Sequence, residues 1–172
     1  MRIAIVLTSL GTLVAPVPAS AQDLPKRKSG LWEIRTSSAT GKSAVAQSAT
    51  VQMCIDENTD DVVQQQMGAA RQSCSRHDVK RTGEQMVVDS VCRFGETTAT
   101  THSVFTGAFD TAYKVESRTA YDPPLQGTRE GTAVMQARWL GACKAGQKPG
   151  DMILGNGMKI NLNDHAGPPA RK

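Results

Sequence analysis

Tyr113-Lys114-Val115-Glu116-Ser117-Arg118-Thr119-Ala120-Tyr121 changes character at every second residue. Successive side chains of an extended chain point to opposite faces, so Tyr113, Val115, Ser117, Thr119 and Tyr121 share one face and Lys114, Glu116 and Arg118 the other. A strand with one buried and one wet face belongs to an antiparallel sheet. The same period runs outward in both directions. Ala133, Met135, Ala137 and Trp139 face away from Gln136 and Arg138, and Trp32, Ile34 and Thr36 alternate with Glu33 and Arg35. Val51, Met53 and Ile55 alternate with Gln52 and Cys54. Met86, Val88, Cys92 and Phe94 share one parity, with Ser90 as the exception. Thr97 to Thr106 also reads as a strand, but its threonines leave the inner face ambiguous.

Turn residues punctuate these runs at Thr82-Gly83, at Gly95, from Gly107 to Asp110, and from Asp122-Pro123-Pro124 to Gly127. Such short gaps make consecutive strands antiparallel neighbours. The prediction is a mainly β domain. It is an antiparallel meander of roughly six to eight strands, built as a curved sheet or partly open barrel with one short helix. The helix is expected from Asp60 to about Ala70. Asn58 or Thr59 would cap it, Asp60 and Asp61 suit its positive end, and Val63, Met67 and Ala70 form one apolar stripe over an end of the sheet. Gly155-Asn156-Gly157 between two apolar runs predicts a C-terminal hairpin.

The N-terminus has a different grammar. A positive Met1-Arg2, an uncharged apolar run from Ile3 to Val17 and the small residues of Ala19-Ser20-Ala21 make the three-part layout of a secretory signal, with cleavage expected after Ala21. The run is short for a transmembrane anchor, which needs about 20 apolar residues, so no membrane-spanning segment is expected in the mature chain. Four units follow: signal peptide 1–21, basic leader 22–29, a single β-rich domain 30–162, and a flexible polar tail 163–172. The compartment implied is periplasmic or extracellular.

Lys+Arg number 20 against 16 Asp+Glu, a net +4 that loses only Arg2 on cleavage. This is too weak a charge for a nucleic-acid binder, which concentrates basic and aromatic side chains on one face. The densest basic run, Lys26-Arg27-Lys28, reads as a solvated leader, with attraction to an anionic membrane surface as the sharper alternative. Two Trp, two Tyr and three Phe make a thin core, and four cysteines in an exported chain supply covalent staples. Cys54, Cys74, Cys92 and Cys143 allow three complete pairings and contain no C-x-x-C, which disfavours zinc and thioredoxin-type chemistry. Cys74 and Cys92 lie nine residues either side of Gly83, so a hairpin turning there sets them opposite one another. A slip of one residue would part them. Cys54 would then join Cys143.

No G-x-S-x-G, H-E-x-x-H, P-loop or dinucleotide fingerprint occurs, and neither cofactor nor metal is expected. His77 sits beside Asp78, but adjacent strand residues point apart. His102 shares its parity with Thr98 and Thr100 and could line a polar cavity, exposure being the plainer reading. Asp151, after Lys148-Pro149-Gly150, suits an Asx-type turn better than catalysis. Trp32 and Trp139 read as core residues, or else as the lining of an apolar ligand cavity.

Several landmarks fall in order: Gly30-Leu31-Trp32-Glu33, Cys54, the helix, Cys74, Cys92, Arg138-Trp139-Leu140-Gly141-Ala142-Cys143, then Lys148-Pro149-Gly150-Asp151. Together they resemble the bacterial domain-of-unknown-function family 3617, whose members carry G-L-W-E and W-L-G-x-C signatures. The resemblance implies a bacterial envelope setting and cysteines kept across the family, and no activity. Two functional expectations follow. The first is an exported, disulfide-stabilised, non-catalytic module that binds an apolar small molecule, a lipid or an envelope protein. The second is a hydrolase-type enzyme with an acidic and histidine site drawn from residues such as Asp78, His102 and Asp151.

Overall fold

A computed structural model of the chain describes residues 25–40, 47–61, 71–83 and 85–164. The signal segment 1–21 with its cleavage site, the apolar stripe of Val63, Met67 and Ala70, and His165 lie outside the described residues.

The chain forms one nine-stranded antiparallel sheet that stays open. The strands are β1 (Gly30–Thr40), β2 (Gln47–Ile55), β3 (Cys74–Thr82), β4 (Gln85–Phe94), β5 (Thr97–Ala108), β6 (Ala112–Leu125), β7 (Thr128–Gly141), β8 (Asp151–Ile153) and β9 (Lys159–Asn161). Their spatial order is β3-β4-β5-β6-β7-β1-β2-β8-β9. Five consecutive strands, β3 to β7, are the expected meander, and β8 and β9 are the expected hairpin, so the count passes eight. Two connections leave the meander. After β2 the chain crosses to the far edge to begin β3, and after β7 it passes β1 and β2 to reach β8.

The helix in the first of these crossings begins at residue 57, earlier than the sequence suggests. Asp56, not Asn58 or Thr59, is its cap. The Asp56 carboxylate accepts from the Thr59 N–H at 2.8 Å and from the Thr59 hydroxyl at 2.7 Å. These bonds hold the carboxyl below its ordinary range.

Register decides which face each residue takes. Phe105, Val115 and Met135 lie in one row, followed by Thr36 on β1. Tyr113, Ala137, Ile34 and Val51 form the next, and Trp139, Trp32 and Met53 another. This settles the open parity of β5: Ala99, Thr101, Ser103 and Phe105 face inward. The core is Trp32, Met53, Ile55, Tyr113, Val115 and Ala137. Two rings extend it: Phe109 stacks on Tyr113 with centroids 4.5 Å apart, and Phe105 lies 6.3 Å beyond Phe109.

The two sequence signatures meet at one place. Leu31 pairs with Gly141 and Trp32 with Trp139 across β1 and β7, with a bulge between them. A Cβ on Gly30 would stand 2.3 Å from the Gly141 carbonyl oxygen and 2.6 Å from Trp139 Nε1. Only a residue without a side chain lets the two strands approach this closely, and Gly30 also sits at φ +134°.

Lys26 and Lys28 of the basic run are exposed, as a solvated leader requires, but Arg27 is turned out of solvent and the run is tied down. Trp32 Nε1 donates to the Lys28 carbonyl at 2.7 Å and Trp139 Nε1 to the Ser29 carbonyl at 3.1 Å. The Lys28 ammonium stands 3.8 Å over the Trp139 ring. Lys26 pairs with Glu57 and Asp61, and Arg27 with Asp60. The leader is thus clasped between the helix start and the two tryptophans. At the other end of the domain, Asn163 is also held, its side chain donating to the Pro149 carbonyl at 3.1 Å.

The four cysteines form two disulfides, Cys54–Cys143 and Cys74–Cys92. The β3–β4 ladder sets Cys74 opposite Cys92. The other bridge ties β2 to the segment that leaves β7.

Candidate functional site

The inward face of β1, β5, β6 and β7 does not fill with its own side chains. Ser103, Ser117, Thr36 and Ala133 are small, and opposite them there is no second sheet among the described residues. The space left is a cavity of about 490 Å³, within the ordinary range for small-molecule sites. Its apolar walls are Ile34, Met53, Phe105, Phe109, Tyr113, Val115, Ala133 and Met135. Ser103 and Ser117 bond each other at 2.9 Å on one side. Pro25 and Arg27 from the leader and Asp60 from the helix close another side.

That closure carries charge. Arg27 Nε donates to Asp60 Oδ1 at 2.7 Å and the Arg27 backbone N–H to Oδ2 at 3.0 Å. The side chains are 8% and 1% exposed, so the pair is held almost free of water. Burial raises the Tyr113 phenol above its usual range, and the neighbouring Arg27 guanidinium opposes the shift. The sequence reading took Asp60 for a helix-dipole residue and Arg27 for a solvated one. Their 33-residue separation hides the pairing. Phe109, placed in a turn by Gly107 and Asp110, was the readable hint, since a large ring in a turn wants somewhere to go.

Trp32 and Trp139 do not line this cavity. Trp32 is fully buried one layer behind it, its ring 5.9 Å from that of Tyr113. Trp139 is turned to the leader, where its N–H and its ring face are both engaged. His102 faces the opposite side of the sheet and lines a separate, shallower polar groove with Arg76, Asp89, Arg118 and Glu130. Its Nδ1 is 2.7 Å from Asp89 Oδ1, which lowers the Asp89 carboxyl.

The residues named for a hydrolase site are not assembled. Asp78 and His102 fall in one cross-strand row with Asp89 between them, but Asp78 is paired with Arg76. Asp151 lies at the far end of the sheet on β8. There its buried carboxylate accepts from the Lys148 N–H at 2.9 Å and the Asn161 amide at 2.9 Å, and meets the Lys159 ammonium at 2.6 Å. Asp151 closes the 148–151 turn and is occupied on every side. No group of three His, Cys, Asp or Glu fit to hold a metal occurs among the described residues.

The Lys159 contact first, then the Lys148 and Asn161 bonds, hold the Asp151 carboxyl far below its usual range. A carboxyl with a folded pKa below its unfolded one stabilises the fold above about pH 4, and the contribution is lost as the pH falls through the lower folded value. Asp151→Asn is therefore expected to unfold at a lower temperature than wild type at pH 7. Its decline between about pH 4 and pH 2 should be shallower. Equal acid slopes in thermal scans of the two proteins would remove Asp151 as a source of acid sensitivity.

Fold and site together define a class: an open antiparallel sheet, stapled by two disulfides, whose inward face holds an apolar cavity bordered by the strap of residues 25–29 and a helix start. The chain belongs to the family described as Protein of unknown function (DUF3617), whose profile matches residues 27–143. The matched span opens on Arg27, the strap's buried cation, and ends on Cys143 of the long-range disulfide. Among curated proteins no match is found. No helix among the described residues is long and apolar enough to cross a membrane.

Proposed function

We propose that this chain is an exported, periplasmic, non-catalytic binding module that holds an apolar small molecule or lipid in its cavity. The observation that carries the reading is the cavity itself: about 490 Å³, walled mainly by aliphatic and aromatic side chains in a chain with few large apolar residues to spare. Apolar surface left unfilled inside a fold forfeits contacts that a bound apolar molecule restores. Export is supported by the charged start, apolar run and small-residue site at residues 1–21, and by two disulfides of a kind that persists in oxidising compartments.

Ala133 and Val115 lie on the cavity wall, so a larger side chain there should occupy the ligand's space. The neutral fluorophore N-phenyl-1-naphthylamine is expected to brighten on binding wild-type protein. Ala133→Phe should weaken that binding about tenfold or more while the unfolding temperature stays near wild type. The same protein isolated from its own host should release an apolar molecule under native mass spectrometry. A wild-type protein that neither binds the fluorophore nor carries a ligand would defeat the reading.

A further inference from the structure

Among the described residues, Arg27 is the one charged side chain of the cavity wall whose donors are incompletely used. Nε is committed to Asp60, but Nη2 is shut off from water and has no hydrogen-bond partner. The side chain is 8% exposed, so solvent does little to relieve it. A buried donor without an acceptor is costly, and more so when it carries charge. The hydroxyls of Ser103 and Ser117 already satisfy one another, and the Tyr113 hydroxyl lies against the Arg27 guanidinium but leaves Nη2 without a partner. The demand for an acceptor is therefore localised at the Arg27 end.

Charge decides what kind of acceptor. Asp60 accepts from both the side chain and the backbone of Arg27, so the cation is already neutralised. A second carboxylate or phosphate brought to this end would meet the Asp60 carboxylate in a water-poor site with no further cation among the described lining residues. An uncharged oxygen carries no such penalty.

We propose that the ligand is an uncharged, largely apolar molecule with a carbonyl-type oxygen at one end, as in a fatty-acyl ester or a long-chain ketone, and that Arg27 donates to that oxygen. The inference rests on the cavity being a binding site. The guanidinium stays anchored through Nε while its free end turns to the ligand, and the acyl body lies along Phe105, Val115 and Met135. Arg27 acts here as a headgroup selector.

A matched series tests this: methyl nonanoate, nonanoate and decane, each displacing N-phenyl-1-naphthylamine from the intact mature protein. Methyl nonanoate is expected to bind about tenfold tighter than decane, the share of one hydrogen bond to a charged donor, and tighter than nonanoate at pH 7. Arg27→Lys keeps a cation for Asp60 but loses the forked second donor. It should erase the preference for the ester while decane binds as before. Tightest binding by nonanoate would overturn the uncharged-acceptor proposal in favour of an anion site. Equal binding of all three would overturn it while leaving an apolar cavity in place. Failure of all three to displace a bound fluorophore would overturn the proposal, whereas a protein that neither binds the fluorophore nor carries a ligand would sink the binding reading itself. The wild-type series decides the matter even if Arg27→Lys does not fold.

Discussion

Replacing both Cys54 and Cys143 by serine is expected to lower stability by about 4–5 kcal/mol, the entropy that closing a loop of this length removes from the unfolded chain. The bridge spans 89 residues. It joins β2 to the segment after β7, across β1, which lies between those two strands in the sheet. A domain of this size has a total stability of only about 5–15 kcal/mol, and the unfolding temperature should fall by roughly 10–20 °C. Cys74–Cys92, with a separation of 18, should cost about 3 kcal/mol when removed in the same way. Urea melts check the ordering, and the long-loop variant should also show a larger m-value because its unfolded chain is less compact. If the two losses come out equal, or the short loop matters more, loop closure is not how these bridges stabilise the fold.

The second large effect is expected at Asp60. Asp60→Asn leaves the Arg27 guanidinium buried without its counter-charge, and breaking a buried pair from one side costs about 3–5 kcal/mol. Removing both charges is a different experiment. Arg27→Met with Asp60→Leu replaces the pair by apolar groups of similar reach, and it should recover most of the loss. The contrast separates two roles for the pair. If Asp60→Asn alone is destabilising and the double variant is not, the ion pair contributes little net stability of its own. A silent Asp60→Asn would mean that the tryptophan contacts of Lys28 and Ser29 hold the strap without help.

Period two was readable in β1, β2, β4, β6 and β7 because each strand has one face in the core and one in water, and burial then writes itself into alternate residues. It was unreadable in β5, where Thr97 to Thr106 offers the same residue type to both faces, and the face was assigned only by pairing with Tyr113–Tyr121. Phe94 shows the limit of parity from the other side. It has the inward parity of β4, yet it sits at the strand's end and is 54% exposed. The cap at Asp56 was missed because Asn58 and Thr59 are as good by residue type. Position along the backbone chose between them.

The cavity had no local signal. Its walls come from strands far apart in sequence, and its charged closure joins residues 33 apart. Trp32 and Trp139 drew attention as the largest rings, but large rings pack best where they can be enclosed, and their N–H groups were claimed by the strap.

Local chemistry therefore determined the elements of this protein. Alternation made the strands, and glycine and proline made the turns, but the β3–β4 ladder runs one residue off the register that spacing about Gly83 implies, and a bulge between Cys74 and Arg76 brings Cys74 opposite Cys92. Tertiary structure decided what no local pattern carries: that β1 and β2 join the far side of β7, that the sheet stays open, and that Arg27 alone of the basic run turns inward. The physical reason is range. Hydrogen-bond periodicity and turn propensity act over a few residues, whereas a cavity and a buried ion pair exist only once distant segments exclude water from the same place.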